Sequence, residues 1–162
     1  MKNKTIIIAE AGVNHNGNVD LALKQVDIAS RCKADYIKFQ TYCSDDLVQK
    51  KVGLAGYQKK NLKSKSSQYK LLKRLELSDA DHVKIIKRCK SKKIKFLSSP
   101  FDFKSINLLK KLNLNLFKIP SGEITNIPYL KKIGSLKKKI ILSTGMSTYE
   151  EIKQAIKILI PS

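Results

Sequence analysis

The chain has 162 residues, with 33 Lys or Arg against 13 Asp or Glu, so its formal charge is +20. That length suits one domain, and 42% hydrophobic residues supply a core, which excludes a disordered or low-complexity chain. No apolar run approaches the roughly 20 residues that span a bilayer, and Glu10 interrupts the N-terminal apolar stretch too early for a secretory leader. A cytoplasmic location is expected, with no membrane partner. Cys32, Cys43 and Cys89 are odd in number and form no metal-ligand pair, which fits reduced thiols packed as small hydrophobes. A basic chain can bind nucleic acid, but its arginines are only Arg31, Arg74 and Arg88, and its lysines come as scattered pairs without interleaved aromatics. A solvated lysine surface explains that pattern better, and no nucleic-acid partner is expected.

In chain order, β-branched runs at residues 5–10, 35–40, 94–98, 116–119 and 139–143 read as strands. They alternate with amphipathic runs at residues 19–33, 79–92, 103–112, 127–133 and 149–159, which read as helices. In the first helix Val19, Ala22, Val26 and Ala29 form one apolar stripe. Ser147 with Glu150 reads as a capping box before the last helix, and Ser78 with Asp81 as a weaker one. Residues 41–77 break the rhythm, with a short helix near 68–76; a segment this long after the second strand suits a substrate cover. Strand and helix in strict alternation predict a parallel sheet with right-handed crossovers.

The choice between an open sheet and a barrel rests on strand alternation. Gly12 and Gly17 bracket Val13-Asn14-His15-Asn16, which is not a dinucleotide-binding turn. Ile37 and Phe39 share one face while Lys38 and Gln40 take the other, and Phe117 and Ile119 likewise oppose Lys118. A strand covered by helices on both sides would be apolar on both. Charged groups at strand ends, away from the helix layer, describe the mouth of a (β/α)8 TIM barrel.

The strand-end residues are Glu10, Lys38, Gln40, Ser98, Ser99, Lys118, Ser121, Glu123, Ser143 and Thr144. Two lysines converging on one cavity repel unless an anion lies between them. Glu10 and Glu123 could serve as structural partners, or a bound phosphate or carboxylate could serve functionally. Ser121-Gly122 and Ser143-Thr144-Gly145 are hydroxyl-plus-glycine turns whose donors suit anionic oxygens. The residues therefore predict a barrel enzyme for an acidic, phosphorylated small metabolite.

At these positions the sequence resembles the sialic acid synthase family. The resemblance rests on Ile8-Ala9-Glu10-Ala11-Gly12-Val13-Asn14-His15-Asn16-Gly17, Lys38-Phe39-Gln40-Thr41, Phe96-Leu97-Ser98-Ser99-Pro100-Phe101-Asp102, Phe117-Lys118-Ile119-Pro120-Ser121-Gly122-Glu123-Ile124-Thr125-Asn126 and Leu142-Ser143-Thr144-Gly145-Met146. Any one motif is weak; the ordered set is specific and covers nearly the whole chain. The resemblance implies condensation of phosphoenolpyruvate with an N-acetylated amino sugar such as N-acetylmannosamine. The product is a nine-carbon 2-keto-3-deoxy acid of surface-carbohydrate biosynthesis, and phosphate is released. By the resemblance Lys38, Ser99, Lys118, Ser121 and Ser143 grip phosphoenolpyruvate, Gln40 approaches the sugar, and Glu123 lies close to the reacting centre. Glu10 is the candidate catalytic carboxylate. His15 would shape the sugar site or hold structure, and His82 reads as an exposed helix residue.

The resemblance also implies a (β/α)8 barrel, a C-terminal antifreeze-like domain, a domain-swapped homodimer, and Mn2+ or Mg2+ bound by histidines beyond the last motif. Residues 1–162 then read as the N-terminal part of the barrel domain, about five of eight βα units, with no metal ligand of their own. This portion alone is expected to be inactive. The alternatives are a Schiff-base aldolase using Lys38 or Lys118, and a lysine-rich module binding anions or nucleic acid.

Overall fold

The computed structural model describes residues 5–49 and 67–160. Its strands are β1 (Ile8–Gly12), β2 (Tyr36–Thr41), β3 (Lys95–Pro100), β4 (Leu116–Ile119) and β5 (Lys139–Leu142). Its helices are α1 (Val19–Arg31), α2 (Ser44–Leu47), α3 (Gln68–Leu75), α4 (Asp79–Ser91), α5 (Phe103–Lys111), α6 (Ile127–Gly134) and α7 (Tyr149–Leu159). A 3-10 turn at Ser121–Glu123 follows β4. No helix among the described residues is long and apolar enough to cross a membrane.

All ladders are parallel, and each strand lies beside the next in sequence. The ladder joins β1-β2-β3 and, separately, β4-β5; β3 and β4 are neighbours without a continuous ladder between them, so a seam runs there. The sequential order differs from the reversal that marks a doubly wound sheet.

Burial follows the same division. Ala22, Val26 and Ala29 of α1 and Ile85 and Cys89 of α4 cover Ile37 and Phe39 of β2. Beyond the seam, Ile106 and Leu109 of α5, Leu130 and Ile133 of α6, and Ala155 and Leu159 of α7 cover Phe117 and Ile119. Phe96 packs against both cores. The Tyr129 hydroxyl crosses the seam to donate to Pro100 O at 2.7 Å. In β2 and β4 the residues of one parity meet helices, which leaves Lys38, Gln40 and Lys118 for the opposite side.

The helix exits repeat one device. Lys33, Lys93, Asn113 and Lys137 each follow a helix with φ between +51° and +60°. Around the first three, paired backbone bonds close the turn, as where Lys33 N donates to Ser30 O and Ala34 N to Ala29 O. This left-handed exit usually carries glycine, so its lysines hid the repeat from a sequence reading.

The structure corrects several expectations. The first strand spans Ile8–Gly12 rather than residues 5–10, and a register shift between Glu10 and Gly12 displaces its end. The last capping box is Thr148 with Glu151, one residue beyond the predicted pair, whereas Ser78 with Asp81 forms as expected. His82 is not exposed: only 1% of its surface meets solvent, because it continues the buried Ile85 and Cys89 stripe of α4. Cys89 is buried, but Cys32 is exposed and Cys43 is half-buried. The long segment after β2 holds α2 as well as the expected α3, and its residues 50–66 lie outside those described.

Candidate functional site at the strand ends

Strand register sets the candidate residues side by side. Glu10 is the ladder partner of Lys38, and Gln40 of Ser99. Paired residues in a parallel sheet project to the same side, so these four share the side that α1 and α4 do not cover. Ile37 and Phe39, of opposite parity, are buried beneath those helices. The same logic in β4 sends Phe117 and Ile119 into the core and Lys118 the other way.

Lys38 Nζ lies 2.7 Å from Glu10 Oε2, with the lysine side chain 15% exposed and the carboxylate 52% exposed. Gly12 makes room for that carboxylate. Its φ is +55°, and a Cβ there would sit 3.3 Å from Glu10 Oε1 and 4.0 Å from Gln40 Nε2. A side chain there would press on the Glu10 carboxylate from a backbone conformation that favours glycine.

Lys118 Nζ donates to Ile119 O at 3.0 Å and to the Ser143 hydroxyl. Burial holds its ammonium below the usual lysine value, the Lys38 charge pushes the same way, and Glu10 opposes both. Lys38, Lys118 and Glu10 thus act on one local field. The two hydroxyl turns also meet, since a Cβ at Gly145 would lie 3.6 Å from Ser121 Oγ. Lys118 and Ser143 are bonded on the far side of the seam from Lys38, and Ser121 stands beside the turn that follows Ser143. Ser99 is buried, with 3% of its surface exposed.

Glu123 is not brought to a lysine among the described contacts. Its Oε2 accepts from Asn126 Nδ2 at 2.7 Å, beside the cap of α6. Of the two carboxylates expected near the lysines, Glu10 takes that position. Ser98 also departs from the group: it pairs with Phe39 and so faces the helix layer, not the side of Ser99.

Gln40 lines a cavity of about 350 Å3 with Tyr42, Leu47, Val48, Leu72 and Phe101, beneath α2 and α3. A larger cleft of about 690 Å3 lies at the opposite strand ends, lined by Lys95, Leu114, Leu116 and Lys139. In parallel α/β barrels chemistry gathers at the carboxyl ends of strands, which favours the Gln40 end.

Both histidines lie on the helix side of the sheet. His15 Nδ1 accepts from Gly17 N at 3.1 Å, and its ring lies 6.0 Å from that of Phe39. His82 contacts Ser78 O and the Thr41 hydroxyl. Among the described residues no group of three or more His, Cys, Asp or Glu could hold a metal ion. The described residues therefore do not compose a divalent-cation site. The sequence reading missed His82 and Thr41 as members of the structure behind the site. The signal was present, because His82 stands three and seven residues before Ile85 and Cys89 on one helical face.

The chain is 50% identical over 156 residues to the N,N'-diacetyllegionaminic acid synthase of Campylobacter jejuni subsp. jejuni serotype O:2, covering 96% of this chain and 47% of that protein. It is 48% identical over 155 residues to the synthase of the same name from Legionella pneumophila, covering 96% and 44%. The chain thus spans about half the length of these relatives. Among solved structures, the N-acetylneuraminic acid (sialic acid) synthetase of Leptospira borgpetersenii serovar Hardjo-bovis, in complex with citrate, superposes with a TM-score of 0.79 at 31% identity, covering 98% of this chain and 53% of that one. The NeuB family matches residues 25–162, and on this extent of sequence and fold the chain belongs to the NeuB family.

Proposed function

We propose that the chain supplies the phosphoenolpyruvate-binding part of a (β/α)8-barrel synthase in cytoplasmic surface-carbohydrate synthesis. The reaction joins phosphoenolpyruvate to an N-acetylated amino sugar, giving a nine-carbon 2-keto-3-deoxy acid and phosphate. The observation that carries this reading is that Lys38, paired with Glu10, and Lys118, bonded to the Ser143 hydroxyl, both leave the strands on the helix-free side; the Lys38 charge also lowers proton binding at Lys118. Two like charges held together with hydroxyl donors are stabilised by an anion between them. The sequential strand order and the relatives' sugar-acid synthase names support the barrel and the substrate class.

In this reading Lys38 and Lys118 neutralise the phosphate and carboxylate, while Ser99, Ser121 and Ser143 orient their oxygens. Gln40 meets the sugar at the cavity beneath α2 and α3. C3 of the enol forms a bond to the aldehyde carbon as its C=O π bond opens to an oxygen that takes up a proton. Water adds at C2 with loss of a proton, and collapse to the C2 ketone breaks the C2–O bond, phosphate leaving with the electron pair. Glu10, already beside Lys38, holds or orients that water's proton. Glu123 acts near the reacting centre through the turn it shares with Ser121. The remaining barrel units, a C-terminal domain and a homodimeric partner complete the enzyme.

Calorimetry with phosphoenolpyruvate, paired with an assay of phosphate release in the presence of N-acetylmannosamine and Mn2+, tests both halves of the proposal. Binding without turnover by this chain is expected. Absence of millimolar binding refutes the clamp, and clear turnover refutes the claim that other units are needed.

A further inference from the structure

Behind the strand ends, on the helix side, runs a buried polar chain. His82 Nδ1 lies 2.8 Å from Ser78 O. Its Nε2 lies 2.9 Å from Thr41 Oγ1. Thr41 Oγ1 lies 2.7 Å from Ser98 Oγ, which in turn lies 3.0 Å from Phe39 O. His82, Thr41 and Ser98 are 1%, 3% and 0% exposed.

Proton counting gives the chain a direction. Both ends are carbonyl oxygens, which only accept. A neutral imidazole and two hydroxyls bring three protons to four contacts. Ser78 O fixes the imidazole proton on Nδ1, so Nε2 accepts from Thr41. Thr41 Oγ1 can then accept from Ser98, whose single proton is divided between Thr41 and Phe39 O. Burial lowers the affinity of His82 for a second proton, and the charges of Asp79 and Asp81 and the bond to Ser78 only partly offset it. The neutral, directional form is therefore the resident one.

The location gives the chain a purpose. Thr41 directly follows Gln40, and Ser98 directly precedes Ser99. Gln40 and Ser99 are ladder partners on the other side of the sheet. Where Thr41 and Ser98 are pinned to α4, the intervening backbone fixes the angle at which Gln40 and Ser99 leave the sheet. We propose that His82 is a positioning residue, which through Thr41 and Ser98 sets Gln40 and Ser99 at the candidate site. The assignment of ligands to those two residues rests on the proposed function; the coupling of His82 to the strand ends does not.

The test compares His82→Asn with His82→Gln in this chain. The Asn carboxamide reaches the place of Nδ1 and retains the Ser78 bond alone, whereas the Gln carboxamide reaches the place of Nε2 and retains the Thr41 contact. Amide hydrogen exchange is read at Gln40, Ser99 and Phe101, the last of which donates to Thr41 O at 3.0 Å. His82→Asn should speed exchange at these amides about tenfold relative to Ile37 and Leu97, and weaken phosphoenolpyruvate binding by about threefold to tenfold. His82→Gln should rescue both. Nitrogen-15 spectra of His82 at neutral pH should show the Nδ1–H form. Uniform acceleration along β2 and β3, equal behaviour of the two variants, or an Nε2–H form overturns the proposal. If His82→Asn fails to fold, Thr41→Val removes the hydroxyl at constant shape and must give the same local release. A wild-type chain that binds no phosphoenolpyruvate but shows the exchange pattern sinks the proposed function and leaves the positioning role standing.

Discussion

Replacing Lys118 by Met separates what this residue does for a ligand from what it does for the fold. Its ammonium sits partly buried, beside the charge of Lys38, and both press its protonation equilibrium below the ordinary value of 10.5. The unfolded chain therefore holds that proton more tightly than the folded one, and the charged lysine costs stability at neutral pH. In the wild type this cost diminishes as pH climbs towards 10.5; the Met variant should lack that slope. Removal strands little: Ile119 O still accepts from Ser143 N at 3.0 Å, and Ser143 is partly exposed. Thermal melts of Lys118→Met should accordingly show no loss of Tm at neutral pH. Its affinity for phosphoenolpyruvate should move the other way. A hydrogen bond to a charged group is worth about 1.5–3 kcal/mol, a factor of about ten to a hundred in Kd. Calorimetry at low ionic strength, where screening is weakest, reads this directly. A change in Kd of less than twofold would refute the two-lysine clamp, and a fall in Tm would refute the assigned cost of burial.

Glu10→Gln should tighten inorganic phosphate binding by about twofold to fivefold, because a half-exposed ion pair worth up to about 1 kcal/mol no longer competes for Lys38; weaker binding in a phosphate titration counts against this. Borohydride treatment with pyruvate should leave Lys38 and Lys118 unmodified by mass spectrometry, since the proposed function uses both as charges rather than nucleophiles; a trapped adduct on either would favour the Schiff-base aldolase. Burial depresses proton binding at both His15 and His82, so the unfolded chain takes up protons first. Stability should be complete above their ordinary value of 6.5 and decline as pH falls below it, a slope that pH-dependent melts of His82→Gln should flatten. Lys93→Gly should stabilise the chain by about 1 kcal/mol in denaturant titrations, by relieving the left-handed backbone at φ +56°; no gain would mean that the turn carries no such strain.

The parts of this structure legible in the sequence were those written in period. Alternation in Lys38-Phe39-Gln40 and Phe117-Lys118-Ile119 announced both strands and their polar side; β4 keeps its expected bounds and β2 lies one residue later than expected. Glu10 and Lys38 were readable as neighbours only once strand order was known, since pairing joins residues 28 apart in sequence. What stayed hidden were departures from period. The Glu10–Gly12 irregularity shifts the end of β1, which no composition rule announces. His82 was misread because its chemistry suggested solvent, while its helical position already demanded burial. Ser98 and Ser99 look interchangeable in sequence; one step of alternation sends them to opposite faces, one to the histidine and one towards the lysines.

The seam between β3 and β4 has a consequence for how the molecule holds together. Lys38 belongs to the ladder of β1-β2-β3, whereas Lys118 and its Ser143 partner belong to that of β4-β5. Each ladder carries its own apolar core, and Phe96, Ile86 and the Tyr129 hydroxyl are among the links across the seam, where no continuous strand pairing runs. An anion gripped by both lysines, as the proposed function has it, would bridge the two ladders. Its arrival should make the two melt as one, sharpening the unfolding transition as well as raising its midpoint.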